Sequence, residues 1–168
     1  MRLFIALEFD KEIIRTLTDL QVELRNCGVT GRFTPSENLH MTLVFIGEYR
    51  RPEEVLDIMN RVDFEPLVLR LEGLQYFRDM FFARISDNAA LKAYVRRLRR
   101  NLAERDIPFD RKKFSPHITL MRKVSFQKGV DGVSIVAPKK EIPVKRVSLF
   151  RSERGKHGMI YTELGAVE

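Results

Sequence analysis

Apolar residues along this chain fall into two rhythms, one of helices and one of strands. The opening Arg2-Leu3-Phe4-Ile5-Ala6-Leu7 is short and almost continuously apolar, and predicts a strand. After it, Ile13, Leu17, Leu20 and Leu24 recur at the spacing of one helix face, and Asp10 stands where an N-cap is needed. Gly28 and Gly31 are expected to end that helix. A second strand is predicted from about Leu39 to Ile46, closing at Gly47. Pro52 suits the first position of a second helix, with Glu53 and Glu54 at the positive end of its dipole. Val55, Ile58, Met59 and Val62 form its buried stripe. Strands over 67–77 and 80–86 lead to a third helix over 88–105, with Leu91, Tyr94, Val95, Leu98 and Leu102 inward. Strands at 116–124, 142–150 and 158–164 complete the chain. Strands and helices mix without strict alternation, which predicts an α+β fold rather than a doubly wound parallel sheet.

An internal repeat refines this picture. Displaced by 77 residues, His40 falls on His117, since 117 − 40 = 77, and Thr42 and Leu43 fall on Thr119 and Leu120. Phe4 meets Phe81, Ala6 meets Ala83, and Asp10 meets Asp87 as a second helix start. Each half therefore reads strand, capped helix, loop, then a strand carrying His-x-Thr. Two such halves would bring the His-x-Thr strands together across a pseudo-twofold axis.

The 168 residues suit one domain, 1–168, built from two related halves, and 44% are hydrophobic, enough for a real core. The N-terminal apolar run is too short for a signal peptide, and no stretch has the length of a membrane span. A cytoplasmic protein without membrane contact is expected, with a monomer as the default. Cys27, the only cysteine, forms no intrachain disulfide and reads as a small helix-end residue. The net charge of +7 favours polyanions such as nucleic acid. The run Arg96-Arg97-Leu98-Arg99-Arg100 is read first as the solvated face of the third helix.

Residues i and i+2 of a strand share a face, so His40 points with Thr42 and His117 with Thr119, opposite Met41/Leu43 and Ile118/Leu120. Two facing copies give two imidazoles and two hydroxyls around one space. That set suits a cyclic phosphodiester: one imidazole deprotonates water while the other protonates the leaving alkoxide. The threonine hydroxyls would bond the non-bridging oxygens. Nothing in the scheme requires a metal or cofactor, and no third histidine sits at ligand spacing. The third histidine, His157 in Gly155-Lys156-His157-Gly158, reads as a solvated turn residue.

The paired motifs and the residues around them resemble the two-histidine phosphoesterase superfamily, in particular its RNA 2′,3′-cyclic phosphodiesterase branch, historically called 2′-5′ RNA ligases. The resemblance runs through Arg2-Leu3-Phe4-Ile5-Ala6-Leu7, Pro35-Ser36-Glu37-Asn38-Leu39-His40-Met41-Thr42-Leu43 and Phe45-Ile46-Gly47-Glu48. It continues through Ser115-Pro116-His117-Ile118-Thr119-Leu120, Arg122, Leu149-Phe150-Arg151-Ser152-Glu153 and Tyr161. It implies a bilobal α+β fold, two antiparallel sheets lining a central cleft with helices outside. It also implies an RNA or nucleotide substrate whose terminal 2′,3′-cyclic phosphate is opened to a 2′-phosphate. By analogy His40 is the proton donor to the 3′ oxygen and His117 the proton acceptor for water, with Thr42 and Thr119 on the substrate. Arg122 is a candidate phosphate contact, although strict alternation puts it opposite His117, so a bulge or strand end would be needed. Phe33 stands where relatives often carry tryptophan, and is read as packing ahead of stacking on a base. Lys112 and Lys113 are read equally as RNA guides or as solvated. The alternatives are the reverse ligation, joining a cyclic end to a 5′-hydroxyl, and a non-catalytic nucleotide- or RNA-binding module.

Overall fold

The computed structural model describes residues 1–126 and 135–168. In chain order its elements are β1 (Arg2–Leu7), α1 (Lys11–Asn26), β2 (Val29–Phe33), β3 (Met41–Glu48), α2 (Pro52–Arg61) and β4 (Leu67–Phe77). There follow β5 (Met80–Ile85), α3 (Ala89–Glu104), β6 (His117–Phe126), β7 (Lys140–Val144), β8 (Val147–Gly155) and β9 (Gly158–Val167). The strands build two sheets, β3-β1-β8-β9 and β2-β6-β5-β4-β7. Every pairing in them is antiparallel. The fold is α+β, and no described helix is long and apolar enough to cross a membrane.

Helix α1 starts as its sequence dictates, with the Asp10 carboxylate accepting from the Ile13 N–H at 2.9 Å. Ile13, Leu17, Leu20 and Leu24 are buried, and Cys27 forms the half-buried C-cap. In α3 the expected apolar stripe is buried throughout, but the cap is Asn88, which accepts from Leu91 N–H at 2.9 Å. Asp87, expected to start that helix, instead pairs with Lys92 at 3.0 Å.

Two other expectations are corrected. Residues 29–33 are a strand, not the loop that Gly28 and Gly31 suggest. Gly28 (φ 82) ends α1, whereas Gly31 lies within β2, where a Cβ would sit 2.8 Å from the carbonyl oxygens of Arg122 and Lys123. Only a residue without a side chain lets β2 come that close to β6. The single strand expected over 142–150 is two strands that part at Lys145–Arg146 and enter different sheets. Pro143 is tolerated because β7 is an edge strand.

Period-two alternation splits the apolar residues of β1 between two layers. Leu3, Ile5 and Leu7 join the main core with the inward stripes of the three helices. Phe4 and Ala6 point the other way and pack with Phe150, Phe45 and Tyr161 in a small separate cluster. Burial of each such large apolar side chain contributes roughly 1.5–3 kcal/mol. The second cluster backs the face on which His40 lies.

Candidate active site

Each His-x-Thr segment is followed by a β-bulge at the same place. Along the β1–β3 ladder Ile5 pairs with Val44 and Ala6 with Thr42, leaving Leu43 without a partner. Along β5–β6, Phe81 pairs with Met121 and Phe82 with Thr119, leaving Leu120 without one. The extra residue resets the alternation, so Leu43 and Val44 are both buried, as are Leu120 and Met121. Beyond each bulge the next side chain, Phe45 or Arg122, returns to the face of its histidine. The bulge that Arg122 requires is therefore present. The Leu120 carbonyl accepts from Thr34 N–H and from the buried Gln21 amide, each at 2.9 Å. Thr34 also donates its hydroxyl to the Thr119 carbonyl at 3.0 Å.

The imidazoles are anchored alike. His40 Nδ1 lies 2.7 Å from the Asn38 carbonyl, and His117 Nδ1 lies 2.7 Å from the Ser115 carbonyl. A carbonyl only accepts, so in both rings Nδ1 carries the proton and Nε2 is the nitrogen available for chemistry. His40 Nε2 is 2.9 Å from the Thr42 hydroxyl, which donates to it when the ring is neutral.

Their surroundings differ. His40 is half-buried between Phe4, with ring centroids 5.1 Å apart, and Tyr161, at 5.2 Å and nearly edge-on. Burial pushes its pKa below the ordinary 6.5, and the charges of Arg122 and His117 push the same way, against the Asn38 carbonyl. Burial likewise raises the Tyr161 phenol, opposed by Arg122 and Arg2. Because Arg122 acts on both His40 and Tyr161, it bridges electrostatically from one sheet to the other. His117 is exposed at the start of β6, its ring 4.8 Å from that of Phe82. A groove of about 770 Å³ opens beside it, lined among others by Phe77, Phe82, Thr119 and Arg122. A second, of about 580 Å³, lies between the sheets, with Phe33, Asn38, Arg122 and Tyr161 in its wall.

The model of the LigT-like phosphoesterase family matches residues 7–81 and again residues 84–161. The chain belongs to the LigT-like phosphoesterases. The two matched stretches begin 77 residues apart, since 84 − 7 = 77. Among curated relatives, the RNA 2′,3′-cyclic phosphodiesterase of Thermus thermophilus is 33% identical, with 98% of this chain and 88% of the relative covered. That of Thermotoga maritima is 26% identical, over 98% and 93%. Among solved structures, a Thermus thermophilus protein superposes with a TM-score of 0.76 at 30% identity, over 99% and 96% of the two chains. Escherichia coli LigT in its apo form superposes at 0.79 with 23% identity, over 99% and 95%.

In this LigT-like phosphoesterase, His40 precedes β3 by one residue rather than lying within it, and His117 opens β6. Thr119 and Arg122 share the wall of the groove beside His117. Phe33 packs half-buried on the main core with the Arg25 guanidinium 4.6 Å from its ring centroid, and also lines the groove between the sheets. Lys112 and Lys113 are exposed and line neither groove, and the Lys112 carbonyl accepts from Arg99 at 2.9 Å. His157 lies exposed in the β8–β9 turn, on the rim of the second groove. Sequence reasoning missed Asn38, whose carbonyl holds His40 while its buried amide donates to the Met159 carbonyl at 2.9 Å. It also missed Gln21. Its signal is a polar residue at a core position of α1, four after Leu17 and one after Leu20.

Proposed function

We propose that this LigT-like phosphoesterase hydrolyses the 2′,3′-cyclic phosphate at RNA ends to a 2′-phosphate. The supporting observation is the matched pair of imidazoles, each fixed through Nδ1 and leaving Nε2 available, with Arg122 in the groove wall beside His117 and its charge felt at His40. Curated relatives named RNA 2′,3′-cyclic phosphodiesterase point the same way, as does the E. coli LigT structure in complex with 3′-AMP.

His117 Nε2, exposed to solvent, takes a proton from water as its oxygen attacks phosphorus. The bond from phosphorus to O3′ breaks, and His40 Nε2–H delivers its proton to that oxygen. Thr42, Thr119 and Arg122 hold the non-bridging oxygens and take up charge in the transition state. A donor with a lowered pKa is the stronger acid, and the substrate's negative charge restores its proton in the complex. With acid, base and cation all supplied by side chains, the reaction needs no metal. The exposure of His117 favours water over a 5′-hydroxyl as nucleophile, and so hydrolysis over ligation.

The test is turnover of an oligoribonucleotide with a 2′,3′-cyclic phosphate end, in EDTA, by wild type, His40→Ala and His117→Ala. Wild type is expected to give the 2′-phosphate, and each variant to lose about 10²–10⁴-fold in kcat. Replacing O3′ by sulfur makes a leaving group that needs no proton, and should rescue His40→Ala but not His117→Ala. Rescue of the other variant would exchange the two roles. Joined oligonucleotides as the main product would replace hydrolysis by ligation, and nucleotide binding without turnover would leave a binding module.

A further inference from the structure

The two grooves that meet at Arg122 differ sharply in charge. The groove beside His117 has Glu72 and Asp87 in its lining against Arg84 and Arg122, two carboxylates to two guanidiniums. Three of these charges already have partners: Arg84 lies 3.9 Å from Glu72, and Asp87 lies 3.0 Å from Lys92. The groove between the sheets is lined by Arg32, Arg122, Lys123, Arg154 and Lys156, with no carboxylate. All five are exposed, and none forms an ion pair with another described residue.

The backbone holds these cations together at a cost. Arg32 and Arg122 are cross-strand partners on β2 and β6, and like charges placed directly opposite destabilise a sheet. Lys123 has a positive φ of 52° in place of the ordinary extended conformation, which disfavours any residue with a Cβ. Gly31 permits the close approach of β2 that this arrangement needs. Arg154 and Lys156 face the same groove from the β8–β9 hairpin of the other sheet. An anion laid between the two sheets would relieve the repulsion on both sides.

We propose that the RNA strand leading up to the reacting end lies in this second groove, its phosphates between Arg32 and Lys123 on one side and Arg154 and Lys156 on the other. The enzyme is then selective for oligoribonucleotides over cyclic mononucleotides, which have no upstream phosphate to place there. The proposal rests on the cyclic-phosphodiesterase reading for the position of the reacting end. The groove beside His117, with its carboxylates and guanidiniums in balance, offers a polynucleotide no such attraction, and the difference between the two grooves sets the direction in which the strand leaves the site.

The experiment compares kcat/KM for 2′,3′-cyclic AMP and for a pentaribonucleotide ending in a 2′,3′-cyclic phosphate, for wild type and Arg154→Gln/Lys156→Gln. Each single-strand phosphate contact contributes a salt slope of about −0.7, so four contacts give about a fifty-fold fall for the pentamer from about 50 to about 200 mM salt. The double variant, with two contacts fewer, should fall by only about sevenfold, and its preference for the pentamer should shrink. Equal kcat/KM for the two substrates in wild type overturns the proposal. So does a preference that responds to Glu72→Gln/Asp87→Asn and not to the basic pair. Binding of a fluorescein-labelled pentamer ending in a 2′-phosphate, read by anisotropy, separates the two levels. If wild type opens neither substrate, the hydrolase reading fails. Weakened, less salt-sensitive binding by the basic-pair variant would then still support the groove, and unchanged binding would reject it.

Discussion

His40 and His117 share an anchor but not an environment. The Nδ1-to-carbonyl bond two residues upstream is local geometry and follows wherever the chain takes this turn, so it recurs at Asn38 and Ser115. Burial against Phe4 and Tyr161 is tertiary and belongs to His40 alone. Since its pKa lies below 6.5, and the proposed donor must be protonated, the high-pH limb of kcat/KM should fall below that value. Arg122 is one of the charges that lower it, so Arg122→Gln should move the limb to higher pH while reducing kcat/KM. The His40 ring resonances titrated by NMR would report the same upward move. A limb that stays in place with Arg122 removed would mean that the cation does not reach His40.

At the scale of elements, the bulges do more than the strands around them. Strict alternation places Arg122 away from His117, and one unpaired residue at Leu120 turns it back to the same face. A trace of that reversal is in the sequence, because in Leu43-Val44 and in Leu120-Met121 two apolar residues follow each threonine where alternation allows one. Strand β2 left no such trace. Five residues containing a central glycine and only two apolar side chains, Val29 and Phe33, resemble a loop. Its strand character comes from pairing with β6, far along the chain. Gly31→Ala tests how much depends on that pairing. A Cβ 2.8 Å from two carbonyl oxygens forces β2 and β6 apart, and the variant should lose about 1–3 kcal/mol in urea unfolding. It should also lose activity, because the displaced carbonyls belong to Arg122 and Lys123. Full activity at reduced stability would detach the β2–β6 contact from the site.

For the whole molecule, a nucleotide held as proposed, by residues of both sheets, would bind the folded state alone. A nucleoside 2′-monophosphate at about a hundred times its Kd should stabilise the protein by about 2.7 kcal/mol, read as a rise in Tm. Arg122→Gln should show a smaller rise at the same ligand concentration. By itself the sequence determined the three helices, because their apolar stripes and the Asp10 cap act over one or two turns. It determined β1 and the two His-x-Thr segments as well, since a run of apolar residues and a period of two are local properties. It located the helix start at Asp87 one residue early, because Asp and Asn cap equally well and only the packed backbone selects Asn88. The partition of the strands between two sheets was decided by tertiary structure: residues 142–150 read locally as one strand interrupted by Lys145 and Arg146, and its separate partners, β4 and β1, divide it there. The same holds for the convergence of Arg122 on His40 and Tyr161, and for the basic wall facing the β8–β9 turn. Charges and rings far apart in the chain have no mutual energy until the core beneath them has packed.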